Sequence, residues 1–488
     1  MGELYLRMGF IENPFSKYSA EEEKTYLSKI YEKPRYYESL LSEISAGNSR
    51  YLFGERGIGK SALMYYLMSD LKSRGVFVML LDEFDGIQIK NNESQLLCLV
   101  EKRIITALGI ELICDKKKIR KLDKYEREKL SFLLNIFFET LGKSRFTELY
   151  EEVSRTKGRS ILRNIYNNIF VKTVNTILSG ASNVVGSTVC KALGLPSIDT
   201  AVVYQEFLSE SKEVKQEIEC DKIDYSTLKN ILRETAKIIN NIGFQKLVIF
   251  FDKIDEYQKL KSRTDSIADF LEMITTDTSL IYSEEFGIEF VLWGKLKEKL
   301  KEKQVRFDKS KPIDISWSND ELKRIIEKRL QYFSDNKIKT LNQIITENSV
   351  QNIIQMAKGS PRQIIMLLSR IYEEQSKIDA HVERFSEHAI EEGTKVFCQY
   401  FEYQLFYPNS DIEQSINRIL KVNKNEFEIV DLASVTKKSA VTAGNWVRTM
   451  INYGLVEEIE GVNGRAKQYV VIDPKLKYLI NNKLEYIG

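Results

Sequence analysis

The sequence is poor in the residues that build metal sites and disulfide frameworks. Its 488 residues include only two histidines and five cysteines, and no cysteine lies near a histidine at the spacing of zinc ligands. The seven prolines are too few for long disordered linkers. These scarcities argue against a zinc-stabilised or secreted disulfide-rich protein. They indicate a chain that is folded nearly throughout in the reducing cytoplasm.

An excess of charge of one sign is also missing. The 72 basic residues are nearly balanced by 70 acidic ones, which leaves a formal net charge of +2, so no global field attracts the chain to nucleic acid or to an anionic membrane. Residues 1–15 lack the apolar core of a signal peptide. The least charged stretch, residues 173–190, is rich in small and polar residues, and we interpret it as a packed helix or loop. Export and membrane insertion are therefore not indicated.

A glycine-rich loop lies between a predicted strand and a predicted helix. The strand at 50–53 is followed by the segment GERGIGKS and then by an apolar helical run at 61–67. Glycines in such a loop let the backbone wrap around phosphates and point its N–H groups inward. Lys60 is expected to reach the β- and γ-phosphates, and the Ser61 hydroxyl is expected to ligate Mg²⁺. The residues predicted to bind ATP are Gly54, Glu55, Arg56, Gly57, Ile58, Gly59, Lys60, Ser61 and Ala62.

A second apolar strand, at 247–251, ends in acidic residues. Asp252 directly follows this strand and is placed to hold Mg²⁺ through water. Asp255 or Glu256 is placed to orient the attacking water, because carboxylates act as general bases at such positions. The alternative is that Asp255 and Glu256 only cap the next helix. Further apolar runs at 76–81 and 289–293 complete a predicted parallel sheet that is covered by helices.

These motifs resemble those of the AAA+ ATPases, and most closely the branch that contains the STAND signalling ATPases and the Orc1/Cdc6-type initiators. Asp252, Asp255 and Glu256 are similar to the Asp-x-hydrophobic-Asp-Glu pattern that often follows the Walker B strand in this branch. Lys253 breaks the usual adjacent Asp-Glu pair. The resemblance implies ATP and Mg²⁺ as cofactors, and it leaves open which acid activates water.

The same resemblance assigns roles to two arginines. The segment GSPR at 359–362 resembles the sensor 2 motif, in which Arg362 would report the γ-phosphate; a plain helix start with a solvated arginine is the alternative. Arg306 follows the strand at 289–293, about where the family places an arginine finger that completes a neighbouring subunit's site. That finger implies a homo-oligomer formed on ATP binding. Where the family has a polar sensor 1, this sequence has Trp293-Gly294-Lys295.

The C-terminal segment from residue 411 resembles a winged helix. Residues 432–437 and 441–453 would form its helix-turn-helix. The side chains predicted to face a partner are Thr442, Asn445, Arg448 and Thr449 on the second helix and Arg465 and Lys467 in the wing, and those predicted to face the core are Trp446, Val447, Met450 and Ile451. With 11 basic and 10 acidic residues in this segment, binding to DNA and docking to protein both stay open.

Together these features predict an α/β fold built on a P-loop NTPase core with a parallel sheet. The predicted domains are the core at 1–315 with a helical insertion at about 86–243, a helical lid at 316–410 and the winged helix at 411–488. The resemblance implies an ATPase that works as a molecular switch. Our first interpretation is a sensor or regulatory ATPase of a bacterial antiviral defence system that acts with a protein effector. The alternatives are a DNA-binding initiator or loader and an ATP-binding scaffold with little turnover.

Overall fold

The computed structural model describes residues 4–115, 117–137, 223–408, 410–459 and 467–488. The strands in these ranges are β1 (Arg50–Gly54), β2 (Phe77–Leu81), β3 (Leu247–Phe251), β4 (Phe286–Trp293), β5 (Ile313–Asp314), β6 (Glu426–Glu428), β7 (Val456–Ile459) and β8 (Gln468–Val471). The helices of the first half are α1 (Leu4–Arg7), α2 (Ala20–Glu23), α3 (Leu27–Ile30), α4 (Tyr37–Ser45), α5 (Lys60–Ser73), α6 (Glu93–Cys114), α7 (Lys124–Phe137) and α8 (Tyr225–Asn241).

The remaining helices follow β3 along the chain. They are α9 (Thr264–Thr276), α10 (Thr278–Ile281), α11 (Leu296–Glu302), α12 (Asn319–Phe333), α13 (Glu347–Met356), α14 (Pro361–Ile378), α15 (Glu387–Gln399), α16 (Tyr403–Phe406), α17 (Ile412–Val422), α18 (Ile429–Thr436), α19 (Ala440–Asn452) and α20 (Pro474–Asn481). Short 3-10 helices occur at Lys118–Lys121, Ile254–Glu256, Gln258–Leu260 and Leu341–Gln343.

The larger sheet has five strands in the order β2-β3-β4-β1-β5. Strand β3 lies parallel between β2 and β4, with Leu247 opposite both Phe77 and Phe286. Every residue of β3 and β4 is buried, which explains why β3 is a continuous apolar run rather than an alternating one. The predicted α/β fold with a parallel sheet is therefore confirmed.

The chain divides into two compact units. One unit comprises Met1–Tyr37, Phe53–Tyr66 and Asp314–Gly488, and the other comprises Glu38–Leu52 and Leu67–Ile313. In the first unit, helices α14 and α15 approach each other closely at Gly393. A Cβ atom at this position would lie only 2.6 Å from the Cα atom of Ile371, so a larger residue there would force the two helices apart.

In the second unit, the range predicted as a helical insertion contains α6, α7 and α8. Helix α8 buries one face, formed by Thr227, Leu228, Ile231, Leu232, Thr235, Ala236, Ile238 and Ile239, as its period of apolar residues requires. Residues 138–222, which include the uncharged stretch at 173–190, lie outside the described part of the chain. Among the helices that the structure describes, none is long and apolar enough to cross a membrane.

The C-terminal segment contains α17 to α20 and a three-stranded antiparallel sheet in the order β6-β8-β7. Strand β6 ends at Glu428, and helix α18 begins at the next residue. The predicted core face of α19 is partly wrong. Val447 and Met450 are buried, whereas Trp446 and Ile451 are only half-buried. Arg465 lies outside the described residues, and the winged-helix assignment and the domain boundaries stay predictions.

Candidate nucleotide-binding site

The glycine-rich loop has a conformation that only glycine adopts easily. It runs from the end of β1 at Gly54 to the start of α5 at Lys60. Gly57 and Gly59 have φ angles of +80° and +96°, in the left-handed region that other residues rarely adopt. A Cβ atom on Gly54 would lie 2.6 Å from Ile58 Cγ2. The loop is therefore tight, and its three glycines are required by its shape.

Lys60 folds back over the loop that precedes it. Its Nζ atom donates to the carbonyl oxygens of Gly54 at 3.0 Å and of Glu55 at 3.2 Å. Helix α5 begins at this lysine, so the positive end of the helix dipole and the ammonium group lie at the same place. This combination of a cationic side chain and a helix N-terminus favours a bound phosphate group.

Trp317 contacts the glycine-rich loop through a hydrogen bond to its main chain. Its indole Nε1–H donates to the Ile58 carbonyl oxygen at 2.7 Å in a buried position. Two residues earlier, the Ile315 N–H donates to the Phe53 carbonyl oxygen at 2.7 Å. The sequence analysis missed Trp317, because nothing local marks a tryptophan that contacts a loop so far away along the chain.

The start of helix α14 lies against Gly57 of the loop. The Ser360 hydroxyl donates to the Gly57 carbonyl oxygen at 3.0 Å, and the Arg362 N–H donates to the same oxygen at 3.3 Å. Ser360 also caps the helix, since it accepts a hydrogen bond from the Gln363 N–H at 3.3 Å, and Pro361 is the first helical residue. The structure therefore brings the segment at 359–362 to the glycine-rich loop.

The Arg362 side chain is half-buried, and its Nε atom donates to the Tyr18 carbonyl oxygen at 3.2 Å. Its role as a sensor of the γ-phosphate stays a prediction.

Phe406 is a second contact of the loop that the sequence did not reveal. A Cβ atom on Gly57 would lie 2.9 Å from Phe406 Cε1, 2.9 Å from Ser360 Oγ and 3.2 Å from Arg362 Cβ. Any side chain at position 57 would thus collide with three groups on one side of the loop. The Phe406 ring is buried and stacks on Phe401, with 5.2 Å between the ring centroids.

In the second unit, the predicted acidic residues follow β3. The Asp252 N–H donates to the Leu81 carbonyl oxygen at 3.0 Å, and this bond continues the parallel pairing of β2 and β3 by one residue. Asp252 and Asp255 are buried, whereas Glu256 is exposed. Asp255 and Glu256 lie within a 3-10 helix, and the N-cap position of α9 is Arg263. These acids therefore do not cap the following α-helix.

Arg306 is paired with an acid of its own chain. Its guanidinium donates two hydrogen bonds to the carboxylate of Asp308, at 2.9 and 2.8 Å. The arginine is about half exposed, so this ion pair is open to exchange with another acceptor. Its role as an arginine finger stays a prediction. At the end of β4, the Lys295 Nζ atom lies 5.2 Å from the centre of the Trp293 ring, and no polar sensor 1 is assigned.

Comparisons with known proteins give only distant likenesses. No family model and no curated protein matches the chain. The Walker-type ATPase of Pyrococcus abyssi is 11% identical, with a TM-score of 0.39 over 95% of this chain and 96% of that one. The Aeropyrum pernix ORC1 protein, solved in complex with DNA, is 11% identical, with a TM-score of 0.35 over 98% and 96%. The Thermotoga maritima RuvB branch migration motor is 11% identical, with a TM-score of 0.34 over 97% and 99%.

Similarity at this level carries no inference about function. The interpretation of this site rests on its own residues and contacts.

The hydrogen bond from Trp317 yields a direct prediction. Replacing Trp317 by phenylalanine keeps an aromatic ring but leaves the buried Ile58 carbonyl oxygen without its donor, which costs about 1–2 kcal/mol. We expect ATP to bind about tenfold more weakly to Trp317→Phe, as measured by calorimetric titration. Trp446→Phe is the matched control, because Trp446 lies on α19 and not at the loop. Equal affinities of the two variants would contradict this role of Trp317.

Proposed function

We propose that the chain is an ATP-binding and ATP-hydrolysing molecular switch of the AAA+ class. The observation that carries this proposal is the pair of hydrogen bonds from the start of α14 to the Gly57 carbonyl oxygen. Through these bonds, a helix of the predicted lid is attached to the loop that would hold the phosphates. A change in the position of this loop, caused by loss of a phosphate, would therefore also move the helix of the predicted lid.

In this proposal the nucleotide is bound by the main chain of residues 54–62, with Lys60 at the β- and γ-phosphates. Ser61 and Asp252 would hold Mg²⁺, which supplies positive charge to the phosphoryl oxygens when it is bound. The water would be oriented by Asp255 or Glu256. We propose Asp255 rather than Glu256 for this role, because Asp255 is buried, like Asp252, whereas Glu256 is exposed.

Arg362 is proposed to distinguish ATP from ADP. It is the second residue of α14, and its main-chain N–H is already bonded to the loop. A guanidinium that exchanged the Tyr18 carbonyl oxygen for the γ-phosphate would gain a charge-assisted hydrogen bond. Loss of that phosphate would return Arg362 to Tyr18, which gives the Arg362 side chain two positions that depend on the nucleotide.

The finer assignment is a sensor or regulatory ATPase of a bacterial antiviral defence system that acts with a protein effector. It follows from the resemblance of the motifs to STAND ATPases. In the same proposal, ATP promotes a homo-oligomer in which Arg306 completes the site of a neighbouring copy. An ATP-binding scaffold with little turnover is the alternative that the hydrolysis measurement below distinguishes.

A DNA-binding initiator or loader is the second candidate, and one surface favours it. Asn445 and Arg448 are exposed on α19, and Lys437 and Lys438 are exposed in the turn before this helix. Such a helix, with cations at its start, suits the phosphates and base edges of a major groove. If this candidate is correct, duplex DNA will bind with a steep salt dependence that Arg448→Ala reduces.

The test is steady-state ATP hydrolysis by the wild-type protein and by Lys60→Ala, each with and without duplex DNA. Lys60 is expected to be essential, so its loss should lower turnover at least about a hundredfold, equivalent to about 2.7 kcal/mol in the barrier. Lys337→Ala is the matched control, since Lys337 is exposed in the turn after α12. ATP binding is measured in parallel by titration.

The outcomes separate the candidates. Turnover that is lost only in Lys60→Ala supports the switch, and additional stimulation by DNA supports the initiator. Tight ATP binding without turnover supports the scaffold. A wild-type protein that neither binds nor hydrolyses ATP would refute the proposed function.

A further inference from the structure

We propose that a buried ion pair in the C-terminal segment, between Lys475 and Asp473, positions both the glycine-rich loop at 54–61, called the P-loop below, and the first turn of α14. Through these two contacts, the C-terminal segment sets the preference of the site for ATP over ADP. Phe406 is the second positioning residue in this inference. The inference rests on the proposed nucleotide binding. It assigns to residues far along the chain a role that no local motif indicates.

The ion pair is almost completely removed from water. Lys475 is 1% exposed and Asp473 is 3% exposed, and their Nζ and Oδ2 atoms are 3.2 Å apart. The Tyr403 hydroxyl donates to Asp473 Oδ1 at 2.8 Å. Burial alone would raise the pKa of Asp473, but the charges of Lys475 and Lys358 and the hydrogen bond from Tyr403 hold it below its usual value. A buried pair of charges is costly unless its geometry is well defined, so these residues fix the parts of the chain that they contact.

The first of these parts is the start of helix α14. Lys475 Nζ donates to Gln363 Oε1 at 3.1 Å, and Gln363 directly follows Arg362. On the other side of the same turn, Lys358 Nζ donates to the Gly454 carbonyl oxygen at 2.6 Å. The turn that carries Ser360 and Arg362 to the loop is thus held at both ends by residues of the C-terminal segment.

The second part is the P-loop itself, which the ion pair reaches through aromatic rings. The Lys475 ammonium lies 4.4 Å from the centre of the Phe401 ring, within the range of a cation–π contact. The Phe401 ring stacks on Phe406 at an interplanar angle of 16°, and Phe406 lies against Gly57.

Helix α16 joins these contacts in one rigid turn. Tyr403 and Phe406 are its first and last residues, and residues three apart lie on the same side of a helix. A shift of the Tyr403 hydroxyl relative to Asp473 would therefore also move the Phe406 ring relative to Gly57.

The contact of Lys475 with Gln363 and its contact with the Phe401 and Phe406 rings should affect different parts of the nucleotide. Phe406 and Gly57 shape the loop that would hold the phosphates of ATP and of ADP alike. Gln363 lies next to Arg362, whose proposed contact is the γ-phosphate that ADP lacks. Loss of the ion pair should therefore weaken the binding of ATP more than that of ADP, whereas a general loosening of the fold would weaken both equally.

The experiment measures the dissociation constants of ADP and of a non-hydrolysable ATP analogue, with Mg²⁺, for the full chain and three variants. The double variant Lys475→Met/Asp473→Asn neutralises both charges and keeps their shapes, so that no unpaired charge is buried. Gln363→Leu removes only the link to α14 at a half-buried position. Phe397→Leu is the control, because Phe397 packs on Phe401 in the same aromatic cluster.

We expect the double variant to bind the ATP analogue about tenfold more weakly and ADP about threefold more weakly. Gln363→Leu should weaken only the ATP analogue, by about threefold. Phe397→Leu should leave the ratio of the two constants unchanged. If the wild-type protein binds both nucleotides and neither the double variant nor Gln363→Leu changes that ratio, the inference is wrong while the proposed function stands. If the wild-type protein binds neither nucleotide, both are wrong.

Discussion

Replacing Arg329 by methionine is expected to lower the apparent free energy of unfolding by about 3–5 kcal/mol, because it removes one partner of a buried ion pair. Arg329 lies on α12 with 3% of its side chain exposed, and its guanidinium pairs with the carboxylate of Glu23. It also donates to the carbonyl oxygens of Pro14 and Lys17. Methionine fills the space of the arginine stem but leaves one buried charge and two carbonyl oxygens without their donor.

Urea unfolding measures this effect, and the same helix supplies the control. Arg324 is paired with Glu32 at 2.7 Å, but about half of its side chain is exposed. Arg324→Met should therefore cost no more than about 1 kcal/mol. Adding Glu23→Gln to Arg329→Met should recover part of the loss, since the two residues interact directly. Equal effects of the Arg329 and Arg324 variants would show that the buried pair does not stabilise the fold.

The elements that the sequence predicts correctly are those with local signals. Strand β3 is a run of five apolar residues, and its burial on both faces of a parallel sheet requires such a run. The capping box of α12 is formed by Ser318 and Glu321, and its sequence signal is local because both partners lie within one turn. The glycines of the P-loop likewise predict a tight loop, because glycine is the residue that adopts positive φ angles easily.

The contacts that complete the site have no local signal. Trp317 and Phe406 reach the P-loop only after the chain has folded, and neither differs in its surroundings from an ordinary core residue. A single sequence shows which residues favour burial, but it does not show which loop a buried ring will contact. The hydrogen bond of Trp317 and the ring contact of Phe406 are therefore properties of the folded structure that the sequence alone does not predict.

Buried acids also mislead sequence interpretation. The predicted strand at 289–293 begins at Glu289. In the structure β4 begins at Phe286, and Glu289 lies in its middle with no exposed surface. Burial raises the pKa of Glu289 well above its usual value, because an ionised carboxylate is disfavoured away from water.

Glu101 on α6 is a second buried acid, and it leads to a prediction of pH-dependent stability. Its side chain is fully buried, and Thr235 Oγ1 donates to Oε2 at 3.1 Å. Burial raises the pKa of Glu101 to about 8, against the smaller opposite effect of the hydrogen bond from Thr235. The folded protein therefore keeps the proton of Glu101 over a pH range in which the unfolded chain has already lost it.

The sign of the effect follows from this difference. Between the pKa of an unfolded glutamate, about 4.3, and the raised value in the folded protein, the folded state binds more protons, so stability falls as pH rises, by about 1.4 kcal/mol per pH unit. Glu101→Gln keeps the shape and has no proton to lose. The variant should match the wild-type protein at about pH 4 and exceed it in stability by several kcal/mol at about pH 8. The measurement is the midpoint of urea unfolding of both proteins across this range.

Glu284→Gln provides the matched control, because Glu284 is an exposed glutamate in the same unit. This substitution alters no buried group, so it should leave the slope of stability against pH unchanged. If Glu101→Gln also leaves that slope unchanged, Glu101 is ionised in the folded protein and a countercharge or water must reach it. If the slope is only partly reduced, Glu289→Gln should remove a further part, since the same physical cause raises the pKa of Glu289.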